Sequence, residues 1–240
     1  MNLLEKKQYV KENLHYLPEE ELSAYRENLA YTITKTSSSI EGEIVTLANV
    51  ISICKGINVG GDSYITRMVY NNFKGYEMVM KHVESNGELT EEFLKDVHEQ
   101  LLNGIINGGL YRNVDIKIKG SAHTPCSYLK VYDRMAKFFY DINHFEGTPL
   151  ELAAYTHLQI AKVHPFLDGN GRLARLMLNF QLVKAGFLPI SLPSKYREQY
   201  FNCLEEFKVN KTTVPFMELL EHRLNREYDR LIGIIDSCKK

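Results

Sequence analysis

The residues of this chain that are best suited to do chemistry lie in one run of twelve, from His164 to Arg175. Its sequence, HPFLDGNGRLAR, supplies a histidine that can accept a proton, a carboxylate, a glycine-rich turn and two guanidinium groups. Glycine-rich turns and the first residues of a helix bind anions through backbone N–H groups. The combination predicts a site where a base works beside a bound polyphosphate.

The histidine and the carboxylate of the run each have a chemical and a structural interpretation. A proline follows His164 and disfavours helical backbone there, so His164 either acts as a general base or only ends the preceding helix. Asp168 offers a hard oxygen to Mg²⁺, or it forms an ion pair with an arginine across the turn. A zinc site built from His157, His164 and Asp168 is a third interpretation, but no further ligand stands at a supporting spacing.

The second half of the run favours an anion. Gly169, Asn170 and Gly171 either point N–H groups at a common anion or form an ordinary turn in which Asn170 caps a helix. Arg172 and Arg175 fall in the first turn of that helix, where the helix dipole disfavours cations. Two cations at this end therefore indicate that a negatively charged ligand binds there.

Helical periodicity dominates the rest of the chain and predicts a mainly helical single domain. One stretch differs, because Val114, Asp115, Ile116, Lys117 and Ile118 alternate with period two, which predicts a strand, half of a short β-hairpin with residues 121–128, in an exposed flap. The predicted helices span residues 3–16, 21–36, 39–55, 63–84, 90–104, 128–144, 149–163, 171–185, 195–207 and 213–233.

The composition excludes several classes of protein. The chain has 240 residues, a net charge of −1 and no long basic block, which argues against nucleic-acid binding. Its apolar stretches are too short to span a membrane, and its N-terminus has no secretory pattern. The four cysteines are scattered without a disulfide or zinc pattern, and the cytoplasm is the expected compartment.

At this point the sequence resembles the Fic family, whose signature is HPFx[D/E]GNGRxxR. Every specified position of the signature is met, with Asp168 as its acidic residue. The segments 109–112, 114–118 and 120–125 resemble the flap region of the family, although Cys126 stands where a second proline is common. The resemblance covers roughly residues 30 to 230 and implies an all-α Fic fold, with 1–55 as N-terminal helices and 56–235 as the catalytic core of one compact unit.

What the resemblance implies is transfer of AMP from ATP to a Tyr, Thr or Ser hydroxyl of a protein, including the chain itself. By that analogy His164 deprotonates the hydroxyl, and Asp168 holds Mg²⁺ between the α- and β-phosphates. The backbone of the glycine turn, Asn170 and Arg172 cradle the phosphates, and Arg175 reaches toward the γ-phosphate. The flap is expected to add a strand to an extended segment of the target.

A second motif of the same family lies more than a hundred residues earlier. Ser37 and Glu41, within SSSIEG, match the pattern [S/T]xxxE[G/N] of an N-terminal inhibitory helix, in the arrangement called class II. By resemblance, Glu41 would form a salt bridge with Arg175 and occupy the γ-phosphate position. The structural alternative is a capping box formed by residues 38–41, which would start the helix 39–55.

Other functions remain as alternatives. Glu41 could orient a water that removes AMP from a modified protein, which would make the chain a deAMPylase. A nucleotide-gated interaction module without catalysis is an alternative of another class. Tyr200 and Phe201 are candidates for the wall of an adenine pocket, although aromatic residues at this spacing more often belong to a core. Self-association that buries the Glu41 helix would add a homo-oligomer as a partner.

Overall fold

The computed structural model describes residues 1–57, 63–118, 121 and 123–239. Within these ranges the chain forms ten α-helices joined by loops and short 3₁₀ turns, so the predicted mainly helical class is confirmed. The helices are α1 Leu3–Asn13, α2 Glu19–Glu41, α3 Leu47–Cys54, α4 Tyr64–Glu84, α5 Glu91–Leu102, α6 Val131–Asn143, α7 Pro149–Val163, α8 Asn170–Lys184, α9 Arg197–Asn210 and α10 Val214–Cys238.

Helices α7 and α8 form the centre of the molecule and make its most extensive helix–helix contact. Helix α7 begins where the sequence predicts it, with Thr148 and Glu151 in a capping box and Pro149 at the first helical position. Helix α8 is buried without interruption from Leu173 to Leu182. A helix that is buried all round belongs to the core, so its first turn is held rigidly by its surroundings.

The other helices surround this pair. Helices α2, α4 and α5 pack against α8, while α6, α9 and α10 pack against α7, and α1 lies along α10. One continuous apolar core runs through these contacts. Within the described ranges, no helix combines the length and the apolarity that a membrane-spanning segment needs.

The predicted boundary between the second and third helices is wrong. The serine run does not start a helix; it lies inside the last turns of α2, which ends at Gly42 with a left-handed φ of 105°. The hydroxyls of Ser38 and Ser39 donate hydrogen bonds to the carbonyls four residues earlier, and this accommodates serines within a helix. Helix α3 starts only at Leu47, behind a capping box formed by Thr46.

The predicted β-hairpin flap is also not seen. No strand occurs in the part of the chain that the structure describes, which includes Val114–Ile118 but not Gly120 or Ala122. A strand needs a partner for its backbone groups. Here the Arg112 guanidinium donates hydrogen bonds to the carbonyls of Val114 and Cys126, and within the described residues no second strand pairs with the segment. The period of two corresponds to alternating exposure only over residues 115–118, of which 116 and 118 are half-buried and 115 and 117 exposed, because Val114 is itself 48% exposed.

Candidate active site

His164 stands at the end of the buried helix α7 in a left-handed conformation, with φ 51° and ψ 62°. Its Nδ1 lies 3.3 Å from the Ala161 carbonyl oxygen, and a donor at Nδ1 leaves the lone pair on Nε2. Burial lowers the pKa of His164 to about 4, although the Ala161 hydrogen bond acts in the opposite direction. The ring is therefore neutral near pH 7, which is the form that a general base requires.

The loop between α7 and α8 is fixed by its own side chains. Phe166 is completely buried, and truncating such an anchor to alanine costs about 3–5 kcal/mol. The Asn170 amide accepts a hydrogen bond from the N–H of Phe166 and donates one to its carbonyl, both at 2.9 Å. Asn170 is thus the first residue of α8 rather than its cap, and its amide group closes the loop.

The start of α8 is open to an anion. Gly169 occupies the N-cap position with φ 75°, and no side chain caps the helix. The first N–H groups of a helix lack intrahelical acceptors, so an uncapped end attracts negative charge. A side chain at Gly171 would collide with the Glu41 carboxylate, and the missing Cβ leaves room for that group directly above the first turn.

Asp168 and Arg172 lie side by side at this helix start. The Asp168 carboxylate accepts a hydrogen bond from the Gly169 N–H at 2.7 Å and lies 3.4 Å from Nη2 of Arg172. Arg172 is almost fully buried, yet its Nη1 has no hydrogen-bond partner. An unsatisfied buried donor costs about 1–3 kcal/mol, and more when it is charged, so this nitrogen favours an anionic ligand.

Arg175 connects the start of α8 with the end of α2. Its Nη2 lies 2.6 Å from Oε1 of Glu41, its Nε donates to the Ser37 hydroxyl at 2.9 Å, and Nη2 also donates to the Ser37 carbonyl. Burial acts to raise the pKa of the Glu41 carboxyl, but Arg175, Arg172 and His164 outweigh it and hold that pKa below its ordinary value. Glu41 is thus an anion at the start of α8.

A buried network supports Arg175 from behind. Tyr200 is 2% exposed, and its hydroxyl accepts from Nη1 of Arg175 at 3.4 Å and contacts Nε2 of His157 at 3.1 Å. Tyr200 thus lies in the core of this structure, and its role in an adenine pocket stays a prediction. Phe201 is 37% exposed and packs under the Arg197 guanidinium, so its adenine role stays a prediction.

The zinc interpretation does not fit this arrangement. His157 is fully buried against Phe216 and bonds Tyr200, away from any shared ligand position. Among the described residues, no three or more His, Cys, Asp or Glu side chains could together hold a metal ion. Asp168, whose side chain is half exposed, suits Mg²⁺, which is commonly held by one or two carboxylates together with phosphates and water.

Two residues that position the site were not identified as functional from the sequence. Arg112 is buried, and its Nε donates to the His164 carbonyl while its backbone N–H donates to the Pro165 carbonyl. His98 lies on α5 and bonds the Asp168 carbonyl at 2.9 Å. The resemblance included Arg112 only as part of the flap, and no sequence signal distinguished His98 from an ordinary core histidine.

The match to a known family covers the run from His164 to Arg175. Residues 88–182 match a model described as the Fic/DOC family. The Protein adenylyltransferase Fic of Drosophila grimshawi is 30% identical over 179 residues, which are 70% of this chain and 36% of that protein. The chain thus spans about a third of the length of the curated relatives it matches.

Solved structures share the fold. A Fic domain containing signaling protein from Bacteroides thetaiotaomicron VPI-5482 has a TM-score of 0.83 at 23% identity, covering 98% of this chain and 96% of that one. A Fic family protein from Desulfovibrio desulfuricans G20 has a TM-score of 0.76 at 24% identity, covering 99% and 74%. At these identities the likeness establishes the architecture.

Proposed function

The chain belongs to the Fic/DOC family, and we propose that it transfers AMP from ATP to a Ser, Thr or Tyr hydroxyl of a protein. The observation that carries the proposal is the placement of His164, at the end of α7, next to the uncapped start of α8 and the two buried guanidinium groups of that helix. These are a base and an anion site within one loop, as transfer from a nucleoside triphosphate requires. The Drosophila grimshawi relative is a protein adenylyltransferase by name, which supports AMP as the transferred group and a protein as the acceptor.

The proposed step is an in-line displacement at the α-phosphorus. The acceptor hydroxyl oxygen bonds to the α-phosphorus, its proton passes to Nε2 of His164, and the bond to the bridging oxygen breaks, so that pyrophosphate leaves. The N–H groups at the start of α8 and the unpartnered Nη1 of Arg172 stabilise the developing charge. Asp168 would hold Mg²⁺, which neutralises charge on the leaving pyrophosphate when bound.

Glu41 is proposed to keep this site inactive at rest. Its carboxylate binds Arg175 at 2.6 Å and occupies the space above Gly171, where a phosphate group of ATP would otherwise bind. A charge-assisted hydrogen bond of this kind contributes about 1.5–3 kcal/mol. A γ-phosphate must displace the carboxylate to reach Arg175, and this supports autoinhibition by competition for one guanidinium.

A second candidate function is removal of AMP from a modified protein. Only Oε1 of Glu41 hydrogen-bonds Arg175, and the side chain is 39% exposed, so the second oxygen can accept a hydrogen bond from a water molecule. Glu41 would orient that water for attack on the α-phosphorus. The two functions differ in their need for ATP, because only deAMPylation releases AMP from a modified protein without it.

The acceptor protein is proposed to bind along the segment 114–118. This segment forms neither helix nor strand in the structure, and Arg112, two residues before it, binds the carbonyl of Val114 and that of His164. An extended segment of a partner could pair with it by backbone hydrogen bonds, which place a hydroxyl without demanding a specific sequence. Modification of a second copy of the chain would use the same mode.

Substitution of Glu41 tests the proposal. We expect Glu41→Gly to raise labelling with α-³²P-ATP and Mg²⁺ by roughly ten- to a hundredfold, the factor that a charge-assisted bond is worth. Glu43→Gly, two residues further along the chain, is the matched control and should label like wild type. Adding His164→Ala to Glu41→Gly should lower the rate by a factor on the order of 10²–10⁴.

The outcomes separate the alternatives. Equal labelling by Glu41→Gly and wild type would contradict autoinhibition, and persistent labelling by the His164→Ala variant would remove His164 from the role of base. Incubating wild type with an AMP-modified protein in the absence of ATP tests the second function. Release of AMP that is lost in Glu41→Gly would assign the chain to deAMPylation.

A further inference from the structure

A buried histidine outside the twelve-residue run contacts the acidic loop directly. His98 is 1% exposed, and both of its ring nitrogens are used. Nε2 lies 2.9 Å from the Asp168 carbonyl oxygen, and Nδ1 lies 2.9 Å from the backbone nitrogen of Gly109. Its ring stacks on Phe166, with centroids 3.6 Å apart and planes 12° from parallel. One side chain thus contacts two segments around the site, the loop between α7 and α8 and the segment at Gly109.

The two hydrogen bonds fix the tautomer of the ring. A backbone N–H can only donate, so Nδ1 of His98 must carry the lone pair that accepts from Gly109. The proton then lies on Nε2 and is donated to the Asp168 carbonyl. A phenylalanine could reproduce the stacking but neither hydrogen bond.

These contacts join the carboxylate to the base. His98 holds Asp168 by its backbone, and an added Cβ at Gly169 would lie only 3.3 Å from Nε2, so the loop fits closely against the ring. On its other side His98 holds Gly109, three residues before Arg112, whose Nε binds the His164 carbonyl. The imidazole therefore bridges the segment that orients His164 and the segment that carries the Asp168 carboxylate.

We propose that His98 is a positioning residue that sets the place of the Asp168 carboxylate relative to His164, and so controls the Mg²⁺-dependent binding of ATP. The proposal rests on the function proposed above, since it assumes that Asp168 holds the metal. Partners that orient a metal ligand typically contribute ten- to a hundredfold to metal affinity or activity.

The test compares two substitutions of His98 with a matched histidine elsewhere, all in the Glu41→Gly protein. His98→Phe keeps the stacking and removes both hydrogen bonds, while His98→Gln restores a donor near the position of Nε2. His82→Phe is the control, because His82 also stacks on a phenylalanine, Phe93, and bonds a backbone carbonyl, Glu88, but touches no site residue.

Two measurements do not depend on turnover. Calorimetry gives the ATP affinity with Mg²⁺ and with EDTA, and amide exchange reports the protection of Gly109 and Gly169. We expect His98→Phe to lose roughly ten- to a hundredfold of the Mg²⁺-dependent affinity, with little change in EDTA. Exchange at both glycines should accelerate, and His98→Gln should recover part of both effects.

Other results would overturn the proposal. If His98→Phe matched His82→Phe in Mg²⁺-dependent affinity and in exchange, the hydrogen bonds would have no positioning role. If the affinity for ATP fell equally with Mg²⁺ and with EDTA, His98 would act only through packing, and the proposal would be wrong. If His98→Phe did not fold, His98→Gln would decide. Full Mg²⁺-dependent affinity for ATP in His98→Gln, without protection of Gly109 and Gly169 from amide exchange, would refute the proposal. If the Glu41→Gly protein bound ATP but never labelled protein, the proposed transfer of AMP would be refuted. The comparison of ATP affinities and amide exchange would still decide the role of His98.

Discussion

At the scale of single residues, the position of Arg175 decides what the site can do. The guanidinium is buried and receives contacts from two sides, from Ser37 and Glu41 on α2 and from Tyr200 on α9. A buried arginine keeps its charge, so it must be paired in every state of the protein. In the proposed mechanism, Tyr200 holds the group in place while its partner on the other side changes from the Glu41 carboxylate to a phosphate.

Removing the Ser37 hydroxyl should weaken the resting state. Ser37→Ala deletes the acceptor of the Arg175 Nε–H but leaves the Ser37 carbonyl and Glu41 in place. A hydrogen bond to a charged group contributes about 1.5–3 kcal/mol, and water that replaces the deleted hydroxyl recovers part of this free energy. Labelling should therefore rise on the order of fivefold. The measurement is the initial rate of self-labelling with α-³²P-ATP.

Its neighbour provides the control. Ser38→Ala removes a hydroxyl that bonds only the Thr34 carbonyl within the helix, so its labelling rate should equal that of wild type. If Ser37→Ala and Ser38→Ala labelled at the same rate, the Ser37–Arg175 contact would have no part in keeping the site inactive.

The placement of the twelve-residue run between α7 and α8 was predictable, because the proline after His164 and the glycines before Arg172 mark these helix ends. The Glu41–Arg175 contact was predictable only by resemblance, since 134 residues separate the pair and local periodicity says nothing about such distances. His98 and Arg112 were missed for the same reason. Their partners are backbone carbonyls and N–H groups, and these leave no mark on side-chain sequence.

At the scale of elements, the end of α2 is the feature that the sequence predicted wrongly. A serine run is a poor helix interior by propensity, which favoured a break before residue 39. The break is absent because Ser38 and Ser39 bond back to the helix and Ser37 bonds Arg175, so tertiary contact overrides propensity. The predicted flap strand differs in another way: its alternation holds only over residues 115–118, and no described segment pairs with it.

Strain at the end of α2 should release Glu41. Gly42 ends the helix at φ 105°, and an added Cβ would have no neighbour within 4 Å, so Gly42→Ala acts through backbone conformation alone. The left-handed region costs a non-glycine residue about 1–2 kcal/mol. The strain is relieved by unwinding the last turn, which moves Glu41 away from Arg175. Labelling should rise roughly fivefold, as measured by the same assay.

Gly56→Ala is the matched control for this prediction. Gly56 follows α3 at φ 73° and is equally open, so its substitution costs a similar strain without touching Glu41. Thermal unfolding of both variants should show comparable losses of stability. An increase in labelling that appeared in both would point to general loosening of the protein rather than to release of Glu41.

At the scale of the whole molecule, the core and the site share their helices. Residues of α2 pack with α4 and α8 in one continuous apolar core, and α1 lies on α10 at the far end of the chain. We propose on this ground that residues 1–55 and 56–235 form one compact unit. Removing the N-terminal helices would then destabilise the core and also break the contact between Glu41 and Arg175.

The same core contains histidines that make the protein sensitive to acid. Burial lowers the pKa of His157 to about 3 and that of His98 to about 4, both below the ordinary 6.5. Below about pH 6.5 the unfolded chain therefore protonates these histidines, whereas the folded chain keeps them neutral until the pH approaches their lowered pKa values. The free energy of unfolding must fall as the pH drops below about 6.5, by about 1.4 kcal/mol per pH unit for each such histidine.

Replacing His157 should flatten this dependence. His157→Gln keeps a polar partner for Tyr200 but cannot be protonated. Between pH 7 and pH 5 its free energy of unfolding should therefore fall by about 2 kcal/mol less than that of wild type. Urea unfolding at pH 7, 6 and 5 measures the difference. Tyr200→Phe removes the same hydrogen bond but retains the histidine, so it should be less stable at every pH with the wild-type slope. If His157→Gln also retained the wild-type slope, the acid sensitivity would have to come from groups other than the buried imidazole.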